Sequence, residues 1–328
     1  MKRIPYDELR QRFERGFAAT GMTSERAAFL AQIFADNTRD GIYSHGMARY
    51  AGLIDHIKSG RNDKDAVPER IAAFGAMEQW DAKRGLGPVN AWASMDRAIE
   101  LAKQHGIGCV ALRLNNHWMR AGTYAWQAAE QGCVGINWTN TNPLFPPFGS
   151  TSPKLGNNPI AMAVPRADGR HVLFDAAMSQ YSFGKIATYA RRDEPLPLPG
   201  GYDADGNLTT DARAILQTRH ALAMGYWKGS GMAVMLDMIA ALASGGLASH
   251  EISREVDKSG GSQVFIAIDL SGAAGDRAAA VVEGVIADLH EADGDARYPG
   301  EGMLRVRDDA IALGVPIEDD HWELLQSL

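Results

Sequence analysis

The sequence is poor in the features that mark several protein classes. It has two cysteines, Cys109 and Cys133, in 328 residues. Neither stands at a metal or redox spacing, and both fall in apolar, strand-like stretches, as reduced, buried thiols of a cytoplasmic protein would. No apolar run approaches the ~20 residues of a membrane span. The opening residues, Met1 to Asp7, carry charge with no apolar core behind it, so no signal peptide is expected. Basic tails and acidic blocks are missing, and the formal net charge of −7 argues against nucleic acid and anionic membranes as partners. There is no GxGxxG: Gly85-x-Gly87, Gly106-x-Gly108 and Gly229-x-Gly231 all lack the third glycine. Walker A, HExxH, GxSxG and DFG patterns are also absent, which speaks against a standard Rossmann site or P-loop. Nine histidines form no pair at metal-ligand spacing, so no metal site is expected.

What is present is the composition of a globular chain, 45% hydrophobic and 22% charged. Residues 1–60 read as helical. Leu9, Phe13 and Phe17 recur at steps of four, and Thr23 or Ser24 caps a second helix with Ala27, Leu30, Ile33 and Phe34 on one face. Ser44 can cap a third helix running to about Lys58. Helix patterns follow over 89–104, 119–131, 230–242 and 276–290. Strand patterns lie at 108–114, 133–139, 159–164, 171–174 and 263–270, and the tail 304–328 reads as two short helices around Gly314-Val315-Pro316. Pro195 to Gly206 reads as an exposed loop. Alternating strands and helices imply an α/β core.

Four clusters could carry chemistry. A helix beginning at Ser44 would put His45, Arg49, Gly52 and His56 on one stripe. An imidazole there can exchange a proton near neutral pH, and a guanidinium one turn away can grip a carboxylate. The alternative is a solvated helix face. Asn115-Asn116-His117-Trp118 follows a strand, where α/β sites collect, although helix capping explains the asparagines equally well. The loop from Thr139-Asn140 to Asn158-Pro159 is dense in Asn, Gly and Pro, suited to a polar ligand or to ordinary turns. Gly225-Tyr226-Trp227-Lys228-Gly229-Ser230-Gly231 opens an apolar helix and could cradle a pyrophosphate or carboxylate. Asp175, at a strand end, could touch a ribose hydroxyl, orient a histidine or cap a helix.

These same residues resemble the malate/L-lactate dehydrogenase family of NAD(P)-dependent oxidoreductases, which bind their cofactor without a Rossmann fold. The carriers are Tyr43-Ser44-His45-Gly46 with Arg49, Asn116-His117, Thr139-Asn140, Gly156-Asn157-Asn158-Pro159, Trp227-Lys228-Gly229-x-Gly231 and Pro299-Gly300-Glu301. Long tokens rich in tryptophan, among them Asn116 to Arg120 and Met224 to Met232, point to a branch acting on a sugar-derived 2,3-diketo acid. The resemblance implies a mixed-sheet α/β fold with a helical portion from both chain ends: 1–75 bearing the proton donor, 76–270 binding cofactor and substrate, and 271–328 packing on the first. It implies hydride transfer to a 2-oxo acid, with His45 and Ser44 catalytic and Arg49, Asn116 and His117 binding substrate. Cofactor contacts are implied for Thr139, Asn140, His171, Val172, Leu173, Phe174, Asp175, Ala176, Ala177, Trp227, Lys228, Gly300, Glu301 and Gly302. NAD is the expected cofactor with NADP still open, and a homodimer the expected assembly. Some relatives carry an Asp after an Arg-Gly where this chain has Ser182-Phe183-Gly184-Lys185. Either Asp175 therefore orients His45 from elsewhere, or His45 works with Ser44 alone. Reduction of another 2-oxo acid or a cyclic imino acid, and a non-catalytic anion-binding role, remain as alternatives.

Overall fold

The computed structural model describes residues 1–256, 259–272 and 277–327. In chain order the elements are β1 (Lys2–Ile4), α1 (Tyr6–Ala18), α2 (Ser24–Arg39), α3 (Tyr50–Lys58), β2 (Glu69–Phe74), β3 (Met77–Asp81), α4 (Gly87–His105), β4 (Ile107–Asn115), α5 (Gly122–Glu130), β5 (Cys133–Thr139), β6 (Pro143–Phe145), β7 (Leu155–Gly156), β8 (Ile160–Val164) and β9 (Val172–Ala176). There follow α6 (Phe183–Arg192), β10 (Gly201–Tyr202), β11 (Leu208–Thr209), α7 (Ala212–Thr218), α8 (Trp227–Ser244), α9 (Ser249–Ile252), β12 (Gly261–Asp269), α10 (Arg277–His290), α11 (Glu301–Leu313), β13 (Val315–Ile317) and α12 (Asp319–Ser327). Asp276 and Leu328, the outer ends of two expected helical stretches, lie outside the described residues.

A seven-stranded mixed sheet runs in the order β2-β3-β4-β12-β5-β8-β9. Among its strands, as far as the residues are described, β3 and β4 alone pair in parallel. Side chains alternate across β4, as a strand requires. Val110 and Leu112 pack with α4 and α5, whereas Ala111 packs on the other face with Ala233, Leu236 and Ala240 of α8. A separate core joins the chain ends. Leu9, Phe13 and Phe17 of α1, Leu30 and Phe34 of α2, and Tyr50 and Ile54 of α3 pack with Val315, Ile317, Trp322 and Leu325. The Tyr50 ring lies 4.8 Å from Phe13 and 5.0 Å from Phe17. The first and last strands close this unit, β1 pairing antiparallel with β13.

Several expectations need correction. The helix expected from Ser44 is two single 3₁₀ turns, Tyr43–His45 and Met47–Arg49, before α3. Gly46 divides them at φ −123°, ψ −112°. A Cβ there would stand 2.9 Å from the Thr38 nitrogen and 3.0 Å from the Phe34 oxygen, so α2 clamps the turn. The helix expected from Met119 starts at Gly122, because Met119 holds a left-handed φ of 67°. Helix α8 starts at Trp227, three residues before the expected Ser230, so Lys228 lies in its first turn. Strand β9 extends through Asp175, which is paired with Ala161 rather than terminal. The span 195–206 is not wholly exposed: Leu196 is buried, and Gly201–Tyr202 pairs with Leu208–Thr209. The hairpin of β2 and β3 lies where no strand was expected.

Candidate active site

His45 and His117 come from different elements and meet face to face. Their rings are nearly parallel, with centroids 5.7 Å apart and planes 13° from parallel. Each is pinned by its own loop. Asn37 of α2 donates to the His45 carbonyl (2.9 Å), and Ser44 Oγ shares a hydrogen bond with His45 Nδ1 (2.9 Å). The His117 loop lies between Leu114 (φ 52°) and Met119 (φ 67°), two non-glycine residues in left-handed backbone. Such conformations persist only where their surroundings enforce them. Here Asn116 Nδ2 donates to the carbonyls of Arg84 (2.7 Å) and Gly85 (2.9 Å), while Asn115 Nδ2 reaches Gln263 Oε1 (2.9 Å). The Met119 amide donates to His117 Nδ1 (3.1 Å). His117 is therefore the neutral tautomer with its proton on Nε2, a fixed donor.

Both imidazoles are kept uncharged. Burial lowers the His45 pKa to about 4; Asp175 opposes this, and Arg49 and Arg120 add to it. Desolvation among the surrounding groups also drives His117 well below its usual range, helped by His45, Arg49 and His56, although the side chain keeps an exposed surface. Arg49 is exposed, and its side chain makes no hydrogen bond or ion pair among the described residues. A free cation beside two neutral imidazoles can hold an anion next to groups able to carry a proton.

Of the segments expected to contact the cofactor, those around Gly300 and just before Trp227 meet β9 and the residues after it, at one edge of the sheet. The Leu173 amide donates to the Pro299 carbonyl (2.9 Å), and Gly300 sits against Leu173 at φ 93°, where a Cβ would be 3.1 Å from the Leu173 nitrogen and oxygen. At the other end of β9, Met178 O accepts from Met224 N (2.9 Å), just before the Gly225 turn into Trp227 and Lys228. Trp227 is exposed, Lys228 also, and neither has an ion pair among the described residues. Tyr226 ahead of them is held at φ 57°. An open indole, an unpaired ammonium, a tight glycine and a strand edge fit the stacking surface, charge and backbone approach that a dinucleotide needs. His171 is buried against Trp126, its Nδ1 accepting from the Arg166 amide (3.0 Å). Glu301 is bound to His290 (3.0 Å) and Arg305 (2.7 Å).

Other expected residues carry internal bonds. Thr139 Oγ1 donates to the Asn140 carbonyl (2.8 Å), and Asn140 Nδ2 donates to Asp237 Oδ1 (2.8 Å) and the Leu247 carbonyl (2.7 Å). Asn158 Nδ2 holds the Ala233 carbonyl (2.8 Å), and Asn157 Oδ1 accepts from Ser179 (2.7 Å). The 182–185 segment does lie beside Ser44: a side chain at Gly184 would come within 3.9 Å of Ser44 Cβ. Lys185 turns away over the Tyr181 ring, 5.4 Å from its centroid. Sequence reasoning missed Asn37, Asp40, Arg120 and Arg307, whose signal was only that charged and amide residues lay within otherwise apolar helix patterns.

Fold and site together define an oxidoreductase that acts on hydroxy or oxo acids. Residues 4–326 match the family model described as malate/L-lactate dehydrogenase, and the chain belongs to that family of NAD(P)-dependent dehydrogenases. It is 41% identical to a 2,3-diketo-L-gulonate reductase of Citrobacter koseri, over 99% of this chain and 100% of that one. Among solved structures, a delta1-piperideine-2-carboxylate reductase from Pseudomonas syringae is 31% identical with a TM-score of 0.89, covering 100% of this chain and 99% of that one. The sulfolactate dehydrogenase of Methanocaldococcus jannaschii is 26% identical with a TM-score of 0.90, covering 99% and 96%. No described helix is long and apolar enough to cross a membrane.

Proposed function

We propose that this chain reduces the carbonyl of 2,3-diketo-L-gulonate or a close 2-oxo acid, using NAD as its cofactor. The observation that carries this reading is the exposed Arg49 side chain, unpartnered among the described residues, beside the stacked, neutral His45 and His117. The named activity of the Citrobacter koseri relative supports the choice of substrate.

Arg49 grips the substrate carboxylate. His117 donates its Nε2 proton to a substrate oxygen and orients the reacting carbonyl. His45 gives that carbonyl oxygen its proton. Ser44 can accept from or donate to His45 Nδ1, so it follows the ring through both protonation states. In the free site His45 is neutral. A bound carboxylate offsets the Arg49 charge, and Asp175 then favours the imidazolium that the reaction requires. A bound reduced nicotinamide supplies the hydride. Segments 171–177 and 300–302 with Trp227 and Lys228 would hold it. Thr139, Asn140 and Asn116 act by shaping the walls through their backbone contacts. In this reading 1–75 brings the proton donor, 76–270 binds the ligands and 271–328 braces the first unit.

The working form is proposed as a cytoplasmic homodimer. Helix α8 turns an apolar row outward, with Met235 50%, Met238 45% and Leu242 80% exposed, and such a row favours association.

The test is loss of reduced-nicotinamide absorbance, with NADH and separately NADPH, against 2,3-diketo-L-gulonate, pyruvate, oxaloacetate, a branched 2-oxo acid and a cyclic imino acid. Preference for the diketo acid supports the proposal. Preference for another acid keeps the machinery and discards the substrate. Absence of turnover together with absence of nicotinamide binding by calorimetry would favour an anion-binding role.

A further inference from the structure

Behind the two histidines lies a group of charges that the proposed reaction does not use. Asp40 is 2% exposed at the end of α2 and accepts from three arginines. Arg307 of α11 binds both its oxygens (2.8 and 2.7 Å), Arg39 contacts Oδ1 (2.9 Å), and Arg120 Nη1 contacts Oδ2 (3.0 Å). Arg120 is itself 7% exposed, with Nη2 against Met303 Sδ (2.8 Å). Among the described residues its Nε has no hydrogen-bond partner, and it stands 3.4 Å from Asp175 Oδ2, the oxygen that already accepts from the Gly122 amide (2.9 Å).

We propose that Arg120 is a positioning residue: anchored from behind by Asp40, it holds the Asp175 carboxylate off the His45 imidazole, leaving His45 paired with Ser44 until a substrate anion arrives. This rests on the reading of His45 as proton carrier. The charged and titratable groups facing His45 are Asp175 from β9, Arg120 ahead of α5, Arg49 from its own loop and His117 from the loop after β4. Of these, Asp175 is the one that favours the imidazolium. Its reach toward His45 is set by how firmly Arg120 holds it. Arg120 cannot swing away, because Asp40 holds its far end. The chain can also spare it, since Arg39 and Arg307 would still neutralise Asp40.

The experiment is an NMR titration of the His45 imidazole, assigned by comparison with His45→Asn, in the intact protein and in Arg120→Gln, Arg120→Lys and Asp40→Asn. Arg120→Gln removes a cation and frees Asp175, so the His45 midpoint should rise by on the order of one pH unit. Arg120→Lys keeps the charge and should restore most of that shift. Asp40→Asn unfastens the far end of Arg120, so Asp175 is held less firmly and the midpoint should rise, by less than in Arg120→Gln. General loosening of the site would not be reversed by Arg120→Lys. The pH profile of kcat/KM should move with the NMR midpoint. A midpoint that stays put in Arg120→Gln, that rises as far in Arg120→Lys, or that falls in Asp40→Asn, would overturn the proposal; if Arg120→Gln does not fold, a small shift in Arg120→Lys with a rise in Asp40→Asn supports it and any other pattern overturns it. If the midpoints move as expected while turnover ignores His45→Asn, the positioning role stands and the proton-donor reading fails.

Discussion

Arg49→Met isolates the carboxylate grip from everything else the site does. The guanidinium is exposed and bonds to nothing among the described residues, so its removal should leave stability within about 0.5 kcal/mol. What is lost is the charge-assisted pairing with the substrate carboxylate. Hydrogen bonds to charged groups contribute about 1.5–3 kcal/mol. At an exposed rim a value near 2 kcal/mol applies, and at about 1.4 kcal/mol per decade this becomes roughly a 30-fold rise in KM. The carboxylate is held equally in ground and transition states, so kcat should change by less than about threefold. Steady-state kinetics by nicotinamide absorbance, with a thermal melt beside it, read all three quantities. Arg49→Lys should recover part of the loss, because charge survives while the fork geometry does not. An unchanged KM, or a fall in kcat alone, would refute the assignment; a large drop in Tm would mean that Arg49 has a structural partner.

Three further outcomes follow from the same geometry. His45→Asn should lower kcat by about 10²–10⁴-fold with little change in nicotinamide affinity, measured by kinetics and calorimetry. The fold should lose stability in acid. His45 has a folded pKa of about 4, below an unfolded value of about 6.5, so the unfolded chain takes up its proton first as pH falls between them. Denaturant titrations from pH 7 to pH 4 should show that decline, and His45→Asn should shrink it; a slope identical in the two proteins would contradict the burial argument. Gly46→Ala should displace both 3₁₀ turns, because its Cβ would press on the Thr38 and Phe34 backbone. It should cost about 1–3 kcal/mol in a melt and about tenfold or more in kcat/KM.

The sequence made the sheet legible through its alternation. Strands expected at 108–114 and 133–139 lie within β4 and β5, and the one at 263–270 overruns β12 by a single residue; both faces of these strands meet helices. The sheet's far edge was not legible. In β2 every residue is exposed, so no buried face leaves a pattern. His45, His117 and Arg49 were readable as chemistry, but their arrangement was not. A continuous helical stripe was the simplest reading of 44–58, and only the contact of Gly46 with α2 breaks it. The Asp40–Arg120–Asp175 chain joins positions 80 and then 55 residues apart. Local patterning has no access to such pairs. The asparagines of 139–159 signalled turns and ligand sites equally, and their partners Asp237, Leu247 and Ala233 come from α8 and the loop after it.

The most direct test of the account is a crystal structure of the protein with nicotinamide cofactor and oxamate, a non-reducible 2-oxo acid mimic. The account predicts the oxamate carboxylate on the Arg49 guanidinium, with its carbonyl oxygen within hydrogen-bond reach of both His45 and His117. Oxamate bound elsewhere, or turned so that its carbonyl faces neither histidine, would contradict it.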